Sequence, residues 1–343
     1  MFSDGDQRAL LDWYDAHQRD LPWRLTNDPW AILLSEVLLQ QTQVSRGLVY
    51  WKRMVETFPT IASMANASVD AVLKAWEGAG YYSRARRLHA LSQRVMSPAS
   101  EGGYDGRLPS TYDELLSLPG IGPYTAAAVA SIAFGQPVAC VDGNIRRVMA
   151  RQTADLDPTP KAVQAWADAS LVSVRPGDWN QALMELGATV CTPKRAGCVR
   201  CPVAASCGGR ATPERFPRPK SQRVKTVEMT AIVDHDRQGR PVLVQRPSIG
   251  LFGGLWGPHY REGQPPVTGS YIEAGTVSHQ LSHRSMTVHV RVGTAVSSVN
   301  GVDPADVACS TLDEKVLAVA EAARQRRLTV NGKNETGERT EGG

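Results

Sequence analysis

The sequence predicts a mainly α-helical N-terminal region followed by a smaller α+β domain. Three observations support this division. Apolar residues recur at helical spacing through the first two hundred positions, a stretch rich in proline and cations follows Cys207, and β-rich alternating segments lie beyond it. Of the 343 residues, 42% are hydrophobic and 21% are charged. This length and composition are typical of a globular protein with two or three cores, and not of a disordered one.

The N-terminal helices are predicted from apolar spacing and from their end residues. The segment 28–44 is apolar almost all round, which predicts one buried helix. Ser68 has the position of an N-cap in a segment that stops at glycine, and Ser110 or Thr111 caps another. Two further helices are expected in "TAAAVASIAF" and "GNIRRVMARQ". No strand of any length is predicted in this region.

The C-terminal part has β-type segments and one helix. Strands are predicted in "TVEMTAIVDHD", "RPVLVQRP" and "MTVHVRVGTAV", and a closing helix in "DEKVLAVAEAARQRR". The tail of residues 329–343 is polar, and we expect it to be disordered. We therefore expect a helical region over 1–209, a basic linker over 210–224 and an α+β domain over 225–328.

The ends and the charge distribution limit the possible environments. No secretory signal is recognisable, and no apolar stretch is long enough to span a bilayer. We expect a cytoplasmic monomer, in a bacterial cytosol or nucleoid, without membrane contact. The net charge is only +4, but nine Lys or Arg and one acid lie between Lys194 and Lys225. This run is either a solvated linker or a phosphate-facing surface, and charge alone does not decide between them.

Four of the six cysteines lie within seventeen residues, with the spacing C-x6-C-x2-C-x5-C. Cytosolic thiols stay reduced, so a metal site is favoured over disulfides. Zinc ribbons usually have two separated C-x2-4-C pairs, and this segment has only one. A compact loop around an iron–sulfur cubane fits better, and a structural zinc site is the alternative. The predicted ligands are Cys191, Cys198, Cys201 and Cys207.

The segment "LPGIGPYTAAAVA" has a Gly-x-Gly turn between two predicted helices. Gly120 and Gly122 allow a sharp turn, after which the free N–H groups of the second helix can face a phosphate. A dinucleotide-binding motif is excluded because a helix, and not a strand, precedes the turn. The turn is therefore predicted as a helix–hairpin–helix, with a plain corner between two helices as the alternative.

Two carboxylates are candidates for acid–base chemistry. Glu36 lies among leucines, which should raise its pKa and make it a general acid near neutral pH. Asp142 directly precedes a predicted helix, whose N-terminus should keep it ionised. One protonated and one ionised carboxyl suit the breaking of a glycosidic bond through an oxocarbenium-like state. The alternatives are a polar gap for Glu36 and a purely structural N-cap for Asp142.

The cysteine spacing and the glycine hairpin resemble those of the endonuclease III-type, helix–hairpin–helix DNA glycosylases. The resemblance implies one [4Fe–4S] cluster, held in a loop whose Lys194 and Arg195 face DNA phosphates. Members of this family that also cut the strand have a lysine where this chain has Tyr124. Because a tyrosine forms no Schiff base with the sugar, the resemblance implies base removal by water with the strand left whole.

Five further segments resemble the adenine-specific MutY branch: "LPWR", "SEVLLQQTQV", "GYYSRAR", "VDGNIRRVMAR" and "NQALMELGA". The resemblance implies that Glu36 protonates adenine N7 and later acts as a base. Asp142 would stabilise the sugar cation, and Asn144 would position Asp142 and the water. The partner would be double-stranded DNA with A opposite 8-oxoguanine or G, and the base would be extruded. The implied adenine pocket is Trp23, Arg24, Leu39 and Gln181, and the residues implied to enter the base stack are Gln41 and Tyr81.

The C-terminal domain resembles a MutT-like (Nudix) domain, chiefly through "VLVQRPSIGLFGGLWGPHY". The chain has no R-E-x-x-E-E pattern, so we do not expect hydrolysis by this domain. The family reads 8-oxoguanine with a Phe-Ser-His turn, which Ser278 and His279 match while Val277 replaces the aromatic residue. An ordinary polar turn is the alternative. The resemblance further implies a six-helix barrel over 23–133, and an iron–sulfur domain formed by 1–22 with 134–209.

Two other functions compete with this prediction. One is an endonuclease III-like lyase for oxidised pyrimidines, which Tyr124 and the second domain disfavour. The other is a non-catalytic iron–sulfur DNA-binding protein, which would have no reason to keep Glu36 and Asp142 together.

Overall fold

The computed structural model describes residues 1–219, 224–266, 270–281 and 283–337. The chain forms two compact units. We call them the helical unit, which comprises 1–67 and 86–220, and the mixed unit, which comprises 68–85 and 221–343. The predictions placed 68–85 in the helical barrel. In the structure this segment is grouped with 221–343 and its side chains bond to residues 304–309, while the barrel bounds stay a prediction.

Eleven α-helices lie in the described N-terminal part of the chain, and no strand occurs there beyond an isolated Cys191–Ala196 bridge. The all-helical prediction is therefore confirmed. Side-chain caps fix several starts: Thr111, and not Ser110, caps its helix, and Ser68 is an N-cap as predicted. The helices are α1 Asp4–His17, α2 Pro29–Leu39, α3 Val44–Thr57, α4 Ile61–Ala65, α5 Val69–Ala75, α6 Ser83–Met96, α7 Tyr112–Ser117, α8 Pro123–Phe134, α9 Gly143–Gln152, α10 Pro160–Ala169 and α11 Pro176–Thr189.

The buried helix predicted over 28–44 is shorter than expected. Helix α2 ends at Leu39, and α3 begins separately at Val44. Between them Gln41 has a φ of 57°, in the left-handed region, and Thr42 N donates to the Leu39 carbonyl at 3.2 Å. The polar residues of this connection have no apolar face to bury, so a tight turn replaces the last helical turn.

The helical unit has a core built mainly by α1, α8, α9, α10 and α11. Helix α8 is almost entirely buried, because its alanines allow α2 and α11 to pack closely against it. Cys140 lies in this core, as expected for a small apolar residue. The largest side chains of the core are Phe2, Tyr14, Trp166 and Trp179.

The mixed unit contains a four-stranded sheet with the order β4-β1-β6-β5. The central pair, β1 and β6, is parallel, and the two outer strands are antiparallel to their neighbours. Helix α12 packs on the sheet and buries Leu312, Val316 and Ala320 against it. Strand β5 was not among the predicted strands. The elements are β1 Lys225–His235, β2 Val244–Gln245, β3 Trp256–Gly257, β4 His259–Glu262, β5 Tyr271–Gln280, β6 Arg284–Val296 and α12 Thr311–Gly337.

Two further expectations need correction or fall outside the structure. Helix α12 continues to Gly337, although residues 329–343 were expected to be disordered. The segment 329–337 has no proline to stop a helix that the preceding residues have already started. Residues 338–343, and residues 220–223 of the expected linker, lie outside the described residues. No helix in the described part of the chain is long and apolar enough to cross a membrane.

Candidate active site

A cleft of about 810 Å³ opens in the helical unit. Its walls come from α2 and the turn after it, the α7–α8 connection, the start of α9, and α11. The cleft is large enough for a base with part of its sugar. Most of the predicted site residues lie in its wall: Trp23, Arg24, Glu36, Leu39, Gln41, Gly120, Gly122, Tyr124, Asp142, Asn144 and Gln181.

Glu36 lies near the end of α2, with only 7% of its surface exposed. Burial raises its pKa from 4.5 to about 7, although a hydrogen bond from the Tyr124 hydroxyl at 2.7 Å acts in the opposite direction. The charge of Asp142 raises the pKa of Glu36 further, and that of Arg24 lowers it. The carboxyl can therefore carry a proton at neutral pH, as a general acid requires.

Tyr124 lies in the first turn of α8, directly after Pro123. Burial and the neighbouring Glu36 raise the pKa of Tyr124 well above 10, so the phenol stays neutral and donates. Its hydroxyl also lies 3.2 Å from the Met184 sulfur. The position that a lyase would give to an amine nucleophile therefore holds a neutral hydrogen-bond donor.

Asp142 is the N-cap of α9, as predicted. One carboxylate oxygen accepts from the Ile145 N–H at 2.7 Å, and the other accepts from the Asn144 amide, also at 2.7 Å. Burial raises the pKa of Asp142, and these hydrogen bonds oppose the rise. We expected the helix N-terminus to keep Asp142 ionised, and the Ile145 N–H of that terminus does act to lower the pKa of Asp142. Both oxygens receive N–H groups, which is the environment of a carboxylate.

Arg147 connects this aspartate to the cysteine loop. Its guanidinium donates to the Asn144 side-chain oxygen at 2.8 Å and to the Gly187 carbonyl at 2.7 Å. Its Nε donates to the Cys191 carbonyl at 2.8 Å. Arg147 was not among the site residues predicted from the sequence, although it lies one helical turn after Asn144, where a partner on the same face was to be expected.

An ion-pair network that the sequence analysis missed forms another part of the wall. Glu185 is fully buried and accepts from Arg24 at 2.7 Å and from Arg19 at 2.7 and 2.8 Å. These partners lower the pKa of Glu185 to about 2, despite burial. Arg24 is thereby held in place, and its buried Nε has no hydrogen-bond partner among the residues that the structure describes. The spacing of Gln181 and Glu185, four residues apart on one helix, was the available signal.

The two residues expected to enter the base stack are in different units. Gln41 lies in the wall of the cleft, and its neighbour Gln40 donates to the Thr125 hydroxyl at 3.1 Å. Tyr81 belongs to the mixed unit, where its side chain is 40% exposed and its φ is 47°. Both are non-glycine residues in the left-handed region, a conformation that clusters at functional sites.

The glycine hairpin has the predicted geometry. Helix α7 ends at Ser117 and α8 begins at Pro123. Gly120 has a φ of 82°, and a β-carbon there would lie 2.6 Å from the Arg87 β-carbon. Gly122 is the N-cap of α8 and has open space around its α-carbon. Only glycine fits at position 120, whereas Gly122 leaves the helix N-terminus accessible.

The four clustered cysteines line one small cavity of about 20 Å³ in the helical unit. Arg151 closes one side, donating to the Cys191 sulfur at 3.3 Å. No three metal-ligating side chains in the described residues converge as ligands of a single ion would. Four thiolates are a donor set that a [4Fe–4S] cluster takes and that a structural zinc ion also takes. Lys194 and Arg195 of the loop are exposed, as a phosphate-binding role requires.

The structure corrects the location of the expected recognition turn. Ser278 and His279 lie within β5, paired with Thr287 and Met286 of β6, and not in a turn. The same Ser-His pair recurs two residues after β5 ends, at Ser282 and His283. His283 is exposed in the connection from β5 to β6, whereas Ser282 lies outside the described residues.

Comparisons with known proteins agree with this geometry. Residues 34–169 match the sequence profile of the HhH-GPD superfamily of base excision DNA repair proteins. The adenine DNA glycosylase of Rattus norvegicus is 36% identical over 83% of this chain and 69% of its own length. That of Homo sapiens is 38% identical over 72% of this chain and 56% of its own length. The chain thus spans little more than half of the human relative.

A solved structure shows the same helical fold. The structure of a thermostable thymine-DNA glycosylase superposes with a TM-score of 0.54 and 28% identity, over 60% of this chain and 94% of its own. The resemblance stated from the sequence motifs is therefore confirmed at the level of family and fold. The chain belongs to the adenine DNA glycosylase family, within the HhH-GPD superfamily of base excision DNA repair proteins.

Proposed function

We propose that this protein is a monofunctional DNA glycosylase that hydrolyses the N-glycosidic bond of adenine opposite 8-oxoguanine, and more slowly of adenine opposite G. One observation carries the proposal. A buried carboxyl whose pKa is about 7, Glu36, lies in the same cleft as Asp142, whose oxygens accept N–H groups. This is the pairing of acid and anion that glycosidic cleavage requires.

The chemistry begins with proton transfer. Glu36, protonated near neutral pH, donates to N7 of an extruded adenine and so turns the base into a better leaving group. Tyr124 fixes the carboxyl by its hydrogen bond to Oε2 and leaves the other oxygen for the base. As the bond to the base lengthens, positive charge develops on the sugar, where the carboxylate of Asp142 stabilises it.

Water completes the reaction. After the base has accepted the proton, Glu36 is ionised and can act as the base that removes a proton from the attacking water. Asn144, held by Arg147, orients Asp142 and lies where it can bind that water. The chain offers no amine at Tyr124, so the product keeps an intact strand with an abasic site.

The adenine pocket is proposed to be formed by Trp23, Arg24, Leu39 and Gln181, with Glu185 added from the structure. Glu185 is occupied by Arg19 and Arg24 and holds Arg24 in place, whereas the buried Nε of Arg24 is a donor available to the edge of a purine. Trp23 contributes a buried aromatic face beside it. A site that leaves this buried donor unpaired in the absence of the right base discriminates against bases that cannot accept from it.

The mixed unit is proposed to read 8-oxoguanine and to be a MutT-like domain that has no hydrolytic activity. Ser278 and His279 remain candidates, and His279 has the ring of Phe252 at 6.4 Å in an edge-on arrangement. His283, in the turn after β5, is the second candidate, because the family uses a turn for this contact. Comparing His279→Ala with His283→Ala for the preference of 8-oxoguanine over G assigns the role to one of them.

We further propose one [4Fe–4S] cluster on Cys191, Cys198, Cys201 and Cys207. When bound, the cluster would supply a rigid scaffold for the loop that presents Lys194 and Arg195 to a DNA phosphate. Burial raises the pKa of Cys201 to about 11, so binding iron at this thiol would release a proton.

The proposed function is tested with three duplexes, which contain A opposite 8-oxoguanine, A opposite G, and thymine glycol. Product from the first two that appears only after alkali, and that Glu36→Gln abolishes, would support the proposal. Strand cleavage without alkali would favour an endonuclease III-like lyase. Tight binding without any product would favour a non-catalytic DNA-binding protein.

A further inference from the structure

The turn that carries Tyr81 has a backbone conformation that an aromatic residue rarely adopts. Tyr81 has a φ of 47°, and the glycines at 78 and 80 have φ values of 84° and 74°. The two glycines adopt this conformation readily, whereas the non-glycine Tyr81 is strained there and keeps it only where surrounding contacts hold it. The contacts of residues 76–82, which we call the Tyr81 turn, therefore decide how this side chain is presented.

One set of contacts comes from the segment itself. The Arg84 guanidinium donates to the carbonyls of Ala79 and Gly80 at 3.2 and 3.1 Å. It also lies between two rings, 5.5 Å from that of Tyr81 and 5.3 Å from that of Trp76. The Trp76 indole donates to the Gly80 carbonyl at 3.0 Å. These contacts close the turn, but they do not anchor it to the rest of the unit.

The anchor is the loop 303–310, which lies far away in sequence and directly precedes α12. The Cys309 N–H donates to the Glu77 carboxylate at 2.8 Å, and the Tyr82 hydroxyl donates to the Cys309 carbonyl at 3.2 Å. The same hydroxyl accepts from the Gly78 N–H at 3.1 Å. Both backbone groups of the buried Cys309 thus bond to residues that flank Tyr81.

Glu77 has a second bond that fixes its direction. Lys74 lies 3.0 Å from the Glu77 carboxylate and donates to the carbonyls of Val307 and Pro304 at 2.8 and 3.3 Å. The ammonium group and the carboxylate therefore bridge α5 and the loop together. Because the Cys309 N–H is buried, it would lose its acceptor if Glu77 were removed.

The loop is itself attached to the sheet part of the mixed unit. Trp256 of β3 donates its N–H to the Ala308 carbonyl at 2.9 Å. Ser310 bonds to the buried Asp313 at the start of α12, and Asp313 forms an ion pair with Arg246 at 2.6 Å. A continuous set of bonds therefore runs from β3 and α12 through the loop to the Tyr81 turn.

We infer that loop 303–310 holds the Tyr81 turn in its conformation and that Glu77 is the positioning residue that joins the loop to the turn. The sheet part of the mixed unit, proposed to read 8-oxoguanine, would then also set the pose of the aromatic residue proposed to enter the base stack. The inference rests on the proposed function for the role of Tyr81 in DNA. The support that loop 303–310 gives to the Tyr81 turn does not depend on that role.

The test uses the full chain with Glu77→Ala and Tyr82→Phe. Asp306→Ala is the matched control, since Asp306 is an exposed acid of the same loop. Hydrogen exchange of the free protein, followed by mass spectrometry, reports the order of residues 78–84. We expect about tenfold loss of protection in both variants, none in the control, and recovery in Glu77→Gln, whose amide oxygen still accepts. Unchanged protection in Glu77→Ala would overturn the inference.

A second measurement reports the rate at which the adenine is extruded from the DNA. With 2-aminopurine beside the target adenine, we expect base extrusion to slow about tenfold in Glu77→Ala, with an unchanged pH dependence of the cleavage step. Should Glu77→Ala lose protection throughout the mixed unit, Tyr82→Phe decides, because it removes only a hydroxyl. If the wild-type chain released no adenine, the proposed function would be wrong. The exchange result would still show whether loop 303–310 holds the Tyr81 turn.

Discussion

Glu36 and Asp142 are two carboxylates of one cleft that differ in burial and in the donors that face them. Asp142 begins a helix and receives two N–H donors, whereas Glu36 lies inside a helix and receives one hydroxyl. Burial raises both pKa values, and it raises that of Glu36 to about 7. Asp142 is less buried than Glu36 and faces N–H donors, and both differences favour its ionised form, while its position at the start of a helix supplies one of the donors.

The largest expected effect follows the loss of the proton donor. Glu36→Gln keeps the size of the side chain and an acceptor for Tyr124, but it cannot transfer a proton. We expect the single-turnover rate of adenine release to fall by about a thousandfold or more. Binding to the A:8-oxoguanine duplex, measured by fluorescence anisotropy, should stay within a few-fold of wild type. A variant with near-normal release would show that another group protonates the base.

Asp142→Asn removes the negative charge of the second carboxyl of the cleft. We expect a loss of about a hundredfold to a thousandfold in the cleavage rate, because the developing positive sugar is no longer stabilised. The charge of Asp142 also raises the pKa of Glu36, so the residual activity should decline with rising pH earlier than in wild type. An alkaline limb that moves to higher pH would contradict this coupling.

The comparison also predicts a stability difference. The native pKa of Glu36 is about 7, against an ordinary value of 4.5. The stabilisation from its proton is complete below pH 4.5 and is lost as the pH rises to 7, because the native state then has to bury a charge. At pH 8, Glu36→Gln should exceed wild type in free energy of unfolding by about 3 kcal/mol more than at pH 4. Urea unfolding of both chains at the two pH values measures this difference.

Arg147 tests whether the order around Asp142 depends on the cysteine loop. Arg147→Met removes the bonds to Asn144, Gly187 and Cys191, so we expect about a tenfold slower cleavage step with an unchanged alkaline limb. Arg146→Met is the control, since Arg146 bonds to the Pro158 carbonyl. Equal losses in the two variants would indicate a general effect on α9.

These expectations show which features a sequence contains and which it does not. The N-cap Asp142, the hairpin glycines and the four thiols follow local spacing, and each lies where the local pattern places it. The break after Leu39 and the turn at Tyr81 depend on residues with left-handed backbone, which the spacing of apolar residues does not predict. The membership of 68–85 in the mixed unit depends on bonds across more than two hundred residues, which local patterns cannot contain.

The smallest expected effect tests the single donor that faces Glu36. Tyr124→Phe removes the hydrogen bond that lowers the pKa of Glu36, so this pKa should rise. The alkaline limb of the cleavage rate should then move to higher pH, opposite to the shift in Asp142→Asn, while the rate near neutral pH changes only a few-fold. Single-turnover rates of the two variants and wild type from pH 5.5 to 9 would show the two displacements together. Shifts in the same direction would mean that the two carboxyls are not distinguished by their donors.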